Sequence, residues 1–557
     1  MVLPDHHSLQ FEIGAESAGG VAPDQYEVVS GYLPRSVISA TIHRVLGSEA
    51  TEAGQAGNFE NDTCRVDLRS GGIWLHAQGS TPVGPATLDS AATSDDFRQV
   101  LIMAEGRDSL TRGLFSSLVR ELRLAAACYT SGEIKEIVAA MPLVDRYAVS
   151  TGAFGGWSLI FRDHYVENSV GFLLGMERAG MEPEWIFALS KGDRTLSRGR
   201  VHSWFLHRGY RSDILDNSVI NGSANRDERA RALAVNDRVD EFISNSHAAG
   251  RRVLVIDDGG LLAQGYGARD VRDASVDGAL ELTVSGLKRV AAAPGGLAVP
   301  VMNMARSQLK TMLGYNEIAD SCVRRLRAII PGQKFIGRHV LLLGFGTLGG
   351  RVAHALRALG CRVSIVDTGI LALINAAEQG YETYRTLNEA LRSHEPFLII
   401  GNTGEPALQA EDLPLLPDGV FLAGFATKDF SLLSEGGAGT ISAVAPGVGV
   451  SYRLPSGASA TLLGDGRSLN LFEYEGIANR GYDAYRAGTL IAARALCERA
   501  GELAAGVHLE AVDRAIEEAG LFEAYYEQYL APGTRRFSTM RAEASPPPIV
   551  SAKGSPQ

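Results

Sequence analysis

HVLLLGFGTLGGRV, residues 339–352, is an apolar run that breaks into three spaced glycines. The strand VLLLG passes through Gly344-x-Gly346-x-x-Gly349 directly into the helix RVAHALRALG. In that context the first glycine permits a tight turn and the second lets the backbone approach a pyrophosphate. The third allows close helix–strand packing. Thr347 and Leu348 open the helix, whose N-terminal N–H groups point at the phosphates. A second strand, RVSIVD, ends at Asp367, near the expected spacing of about 20 residues. Its carboxylate accepts from ribose hydroxyls and repels a 2′-phosphate. The stretch reads as a dinucleotide site that prefers NAD to NADP, and leaves open whether NAD is a consumed substrate or a resident catalyst.

Outward from this stretch, strands and helices alternate from Gly337 to about Phe425, ending on the strand FLIIGN from Phe397. Units of roughly 20–30 residues in that order predict a parallel sheet with helices on both faces. A similar pattern begins near Ser131, with strands at Ala153–Phe161 and at RRVLVIDDGG from Arg251. The fold class is therefore α/β, a Rossmann-type NAD domain inserted in an α/β substrate domain. The expected division is 1–130 as an N-terminal extension, 131–320 as substrate domain and 321–475 as Rossmann domain. Residues 476–540 would be C-terminal helices completing the substrate domain and making oligomer contacts, and 541–557 a Pro/Ser-rich disordered tail. SATLLGDGRSLNLF, around Gly464, reads as a β-hairpin with GDG at its turn. The first 130 residues mix β-like runs such as GGIWLHAQG from Gly71 with an amphipathic helix from Phe115, and carry no chemical motif.

At 557 residues the chain exceeds a single core. A formal charge of −11 argues against a nucleic-acid binder. Five cysteines, with no CxxC spacing, fit a reduced compartment and speak against a disulfide framework or a structural zinc site. The N-terminus shows no signal-peptide pattern and no apolar run approaches a membrane span, so a cytoplasmic protein is expected, with no membrane partner and no metal.

The block from Gly337, together with VLVIDDGG ending at Gly260, TVSG at 283–286, VPVMNMARSQLK at 299–310 and GRSLNL around Asn470, resembles the adenosylhomocysteinase family. Weaker similarity reaches MPLVDRY at Met141 and FRDHYVENSV around His164, so the resemblance covers roughly residues 135–535. It implies tightly bound NAD, recycled in each turnover. It also implies oxidation of a nucleoside hydroxyl to a ketone, loss of a neighbouring acidified C–H proton, and β-elimination of a group on the exocyclic carbon. By the same resemblance Lys310 is the base beside the oxidised hydroxyl, and His164 with Asp258 serves the leaving group. Thr283, Ser285, Thr403 and Asn470 join Gly344, Gly346, Thr347, Leu348, Gly349 and Asp367 in holding NAD. A homo-oligomer, dimer or tetramer, is the family default.

Several positions depart from the family pattern. The glutamate before TVSG is Leu282, with Glu281 one residue away. An asparagine becomes Ala305, while Asn303 remains. An Asp-Asn pair after the lysine is replaced around Gly314 and Tyr315, leaving Asn316 as a substitute. Histidines fall on Phe425 and Ile477, the adenine-site segment is not recognisable around Ser190–Arg200, and APGTRRF ending at Phe537 only echoes the family tail. The cofactor side is retained and the substrate side rewritten, which implies a changed substrate. The pattern points to elimination of water without re-addition, as in the angustmycin-type nucleoside dehydratases of antibiotic biosynthesis. The alternatives are adenosylhomocysteine hydrolysis and a catalytically silent NAD-binding regulator.

Overall fold

The computed structural model describes residues 25–33, 35–47, 49–51, 62–69, 71–79, 97–106, 108–126, 129, 131–191, 198–215, 220, 226–268, 271–272, 275–292, 295–426, 428–434, 437–445, 448–464, 468–469 and 480–532. The expected tail at 541–557 and the assigned Asn470 lie outside the described residues.

Strands β1 (Gln25–Tyr32), β2 (Thr63–Leu68), β3 (Gly71–Gly79) and β4 (Phe97–Glu105) form an antiparallel sheet in the order β1-β4-β3-β2. Alternation builds it: in β2, Cys64, Val66 and Leu68 are buried while Arg65 and Asp67 face out. The inward side chains meet Ile38, Ile42 and Leu46 of helix Arg35–Leu46, and Phe115, Leu118 and Leu122 of helix Ser109–Ala126. The second helix starts six residues before the Phe115 read from sequence. Leu206, on helix Arg198–Arg208, packs against the same core and ties this module to the next sheet.

That sheet begins with β5 (Trp157–Asp163), β6 (Ile186–Ser190), β7 (Arg211–Ile214), β8 (Arg252–Asp257), β9 (Gly278–Glu281) and β10 (Pro300–Asn303). Every residue of β5 is buried, as expected of a parallel strand covered on both faces. The chain then leaves to build β11 (His339–Leu343), β12 (Arg362–Val366), β13 (Glu382–Tyr384), β14 (Leu398–Gly401), β15 (Val420–Gly424), β16 (Thr440–Ala445), β17 (Gly449–Arg453) and β18 (Ser459–Leu463). These order as β13-β12-β11-β14-β15-β18-β17-β16, parallel from β13 to β18. Only after this insertion does β19 (Gly506–His508) return to the second sheet, giving β19-β10-β9-β8-β5-β6-β7, all parallel.

The hairpin read around Gly464 is displaced. Ser459–Leu463 pairs antiparallel with the preceding Gly449–Arg453, and the turn sits at Pro455–Gly457, where Gly457 has φ +87°. The other edge of β18 is taken by β15. Asp465 and Gly466, the rest of the GDG signal, lie outside the described residues.

Helix Arg480–Arg499 carries the return and is buried over most of its surface. Ala484, Ala487, Leu490, Ala492, Ala493 and Leu496 all enter the core of the second sheet.

Candidate active site

Each parallel sheet has one point where strand order reverses, and there the loops leave in opposite directions to open a crevice. In the third sheet it lies between β11 and β14, and in the second between β5 and β8.

At the first crevice Gly344 has φ +93°, which favours glycine. A Cβ on Gly349 would stand 2.0 Å from the Gly344 carbonyl oxygen, so close helix–loop packing excludes any side chain. A Cβ on Gly346 would meet nothing within 4 Å. Helix Thr347–Ala358 starts from Gly346 with no side-chain cap, leaving its first N–H groups directed into the crevice. Thr347 is the first residue of this helix, and Leu348 turns its side chain to the core and offers only backbone. Asp367 braces the loop, its Oδ2 accepting from the Phe345 N–H at 2.7 Å and its Oδ1 from the Gly369 N–H at 2.7 Å. Across the crevice, Thr403 donates its N–H to Asp429 Oδ1 at 2.8 Å. Beside it both polar atoms of the Asn402 amide are buried without a hydrogen-bond partner.

At the second crevice three strand ends deliver polar groups: Asp163 closes β5 and His164 follows it, Lys191 follows β6, and Asp258 follows β8. Asp258 Oδ1 accepts from Lys191 Nζ at 2.8 Å, and its Oδ2 lies 3.7 Å from His164 Nε2. Lys191 Nζ is also 3.3 Å from His164 Nε2. Asp163 accepts from the His164 N–H at 2.6 Å and from Arg486 at 2.6 Å, while Arg486 also donates to Asn168 at 2.9 and 2.8 Å. Lys310 follows β10 on a short π-helical turn, Lys310–Gly314, a distortion common at functional sites. Its Nζ lies 4.0 Å from the ring centroid of Tyr485 and 5.9 Å from that of Tyr315. Lys310, His164 and Asp258 thus converge on one site, with Lys310 near enough for its charge to act on Asp258.

Burial lowers the Lys310 ammonium to about 8, with Asp258 and Asp163 opposing. Burial and then the Lys191 ammonium hold His164 well below the ordinary imidazole range, so it is neutral. Burial pushes the Asp258 carboxyl up, but Lys191, His164 and Lys310 outweigh it and hold it ionised below the usual range. Asp163, His164 and Asp258 place ligand atoms within 4.8 Å of one another, the spacing of a metal site, and the Lys191 ammonium lies within hydrogen-bond reach of two of them.

Two proposed substitutes are committed elsewhere. Glu281 is fully buried, accepts from Thr283 N–H and Oγ1 at 2.8 and 2.9 Å, and has its pKa raised well above normal by burial and by Asp257. Asn316 donates to the Met312 carbonyl at 2.7 Å and accepts from Arg351. Thr283 is drawn into the turn, accepting from the Gly286 N–H at 3.0 Å, and Ser285 is exposed. Both open the helix Val284–Ala292, whose Lys288 reaches Glu405 of the loop after Thr403, 3.6 Å across the two sheets. Phe425 is buried in the third-sheet core and offers no polar group. Lys191 was not among the sequence candidates. Its signal is positional, a lone lysine directly after the apolar strand IFALS, next to the reversal point.

Residues 313–476 match the family model described as S-adenosyl-L-homocysteine hydrolase, NAD binding domain. Adenosylhomocysteinase from Thermosynechococcus vestitus is 25% identical over 269 residues, 46% of this chain and 60% of that protein. The Gloeothece citriformis adenosylhomocysteinase is 25% identical over 265 residues, with the same coverage of 46% and 60%. The chain thus spans 60% of the length of these relatives. Among solved structures, the A chain of dipicolinate synthase from Bacillus subtilis aligns with TM-score 0.33 and 14% identity over 64% of this chain and 99% of that one.

The residues present fit NAD. Gly346 faces open space where a pyrophosphate needs backbone approach, uncapped helix N–H groups point there, and the unpartnered Asn402 amide lines the same crevice. Residues 313–476 are similar to an adenosylhomocysteinase-type NAD-binding domain, and the cofactor is NAD.

Proposed function

We propose that the protein carries out redox-assisted β-elimination on the sugar of a nucleoside, with water as the leaving group. When bound, NAD supplies a reversible hydride acceptor for one sugar hydroxyl. The observation that carries this reading is the convergence of Lys310, neutral above about 8, with a neutral His164 and an ionised Asp258 in one cluster at the strand ends. Lys310 takes the proton of the hydroxyl to be oxidised, because burial makes its amine available as a base near neutral pH. The ketone so formed acidifies the adjacent C–H, whose proton passes to His164. Loss of water then leaves an exocyclic alkene, and return of the proton through Lys310 restores the hydroxyl. Asp258 stays charged and orients its neighbours. Net oxidation is zero.

Dehydration is favoured over hydrolysis by the substrate-side losses: Phe425 is core, and Asn316 and Glu281 are engaged within the fold. A site stripped of hydrogen-bonding groups for one substrate no longer selects it. The test is to denature the purified protein and assay released NAD, then to incubate the native protein with adenosylhomocysteine and separately with hydroxylated purine nucleosides. Loss of one water from a nucleoside is the expected result. Release of homocysteine would replace dehydration with hydrolysis, and bound NAD without turnover would leave a regulator.

A further inference from the structure

Lys191 is only 8% exposed, and its backbone N–H donates to the Asp163 carbonyl at 3.2 Å, which fixes it over the end of β5. An ammonium carries three donors. One goes to Asp258 Oδ1 at 2.8 Å and one faces His164 Nε2 at 3.3 Å. Among the described residues the third has no acceptor, in a pocket shared with Lys310. An N–H acid and an imidazole lone pair therefore stand 3.3 Å apart beside the reacting sugar position assigned above. Elimination needs just this pair, a base at carbon and an acid at oxygen.

We propose that Lys191 is a further catalytic residue of this site, donating the proton that turns the departing hydroxyl into water. The inference rests on the oxidation–elimination reading. In the step, the C–H bond next to the ketone breaks and its proton goes to His164. The freed electron pair becomes the C=C bond, and the C–O bond breaks with its pair on oxygen. Lys191 protonates that oxygen, and His164 returns the proton to Lys191. The proton lost from carbon ends on water, so no outside acid, oxidant or reductant is consumed. Asp258 keeps the ammonium in place and takes no proton.

The experiment compares the holoenzyme with its Lys191→Arg and Lys191→Met variants, using adenosine and 5′-deoxy-5′-fluoroadenosine in deuterated water. It reads deuterium uptake at the sugar carbon, water loss and fluoride release. Arginine keeps the ion pair with Asp258 but does not give up a proton at working pH. Lys191→Arg is therefore expected to keep deuterium uptake and fluoride release within about threefold, and to lose water elimination by about 100-fold or more. Fluoride needs no proton to leave, so the two leaving groups separate acid catalysis from a structural role. NAD content and melting temperature, both expected unchanged, show that the Arg variant is folded should Lys191→Met not be. Equal slowing of both leaving groups, or undiminished water loss, would overturn the role of Lys191 alone. A wild-type enzyme that takes up no deuterium from either probe would overturn the elimination reading and this step with it.

Discussion

The two reversal points use the same topology in opposite ways. The one between β11 and β14 is made of absence: no side chain at Gly344, Gly346 or Gly349, and N–H groups left uncapped. The one between β5 and β8 is crowded with charge, with Asp163, Lys191, Asp258, Lys310 and Arg486 around a neutral His164. A site for a diphosphate can be built from backbone, because the ligand brings the charge. A site that moves protons needs side chains whose charges tune one another. The lesson is that a single crevice geometry hosts either chemistry, and the residues following the strands decide which.

Substitutions test how separate these two sites are. Lys310→Ala should lower deuterium exchange at the sugar by about 10²–10⁴ while leaving NAD content intact. If NAD is lost as well, the sites are not independent. Exchange should also follow pH: Lys310 acts as a base only when neutral. The rate should therefore rise about tenfold per pH unit up to about 8 and level off above it. A profile flat from pH 6 to 8 would remove Lys310 from the base role. Gly346→Ala meets nothing within the protein and sits at φ −75°, so melting should change by less than about 0.5 kcal/mol. NAD affinity should nonetheless fall by about 1–3 kcal/mol, roughly 5- to 150-fold, measured by titration of the apoprotein. Gly349→Ala should instead destabilise the apoprotein itself by about 1–3 kcal/mol, read by denaturant unfolding, because its Cβ meets the Gly344 carbonyl. If both glycine variants behave alike, the distinction between ligand space and packing space fails.

The glycine crevice could be read from sequence because its strand, loop and helix are consecutive, and the alternation around it repeats locally. The charged crevice could not. Its groups come from five places between Asp163 and Arg486, each unremarkable in its own surroundings, and only family resemblance picked out His164, Asp258 and Lys310. Lys191 escaped even that, since the segment it begins departs from the family. In the N-terminal sheet the strand GGIWLHAQG was legible but the pairing was not, because β1 joins β4 across an intervening helix and two strands. The GDG turn near Gly464 misled for the converse reason: a strong local signal lost to the pairing of β18 with β15 and β17.

The late return of β19 and of helix Arg480–Arg499 sets an order of assembly. Domains fold as units while the chain is being made. The glycine crevice is fully synthesised before Tyr485 and Arg486 exist, whereas the charged pocket waits for both, and its core waits for Ala484 to Leu496. During synthesis the cofactor fold can therefore close first, and the proton-transfer machinery is finished only when the chain from Arg480 onward arrives to complete it.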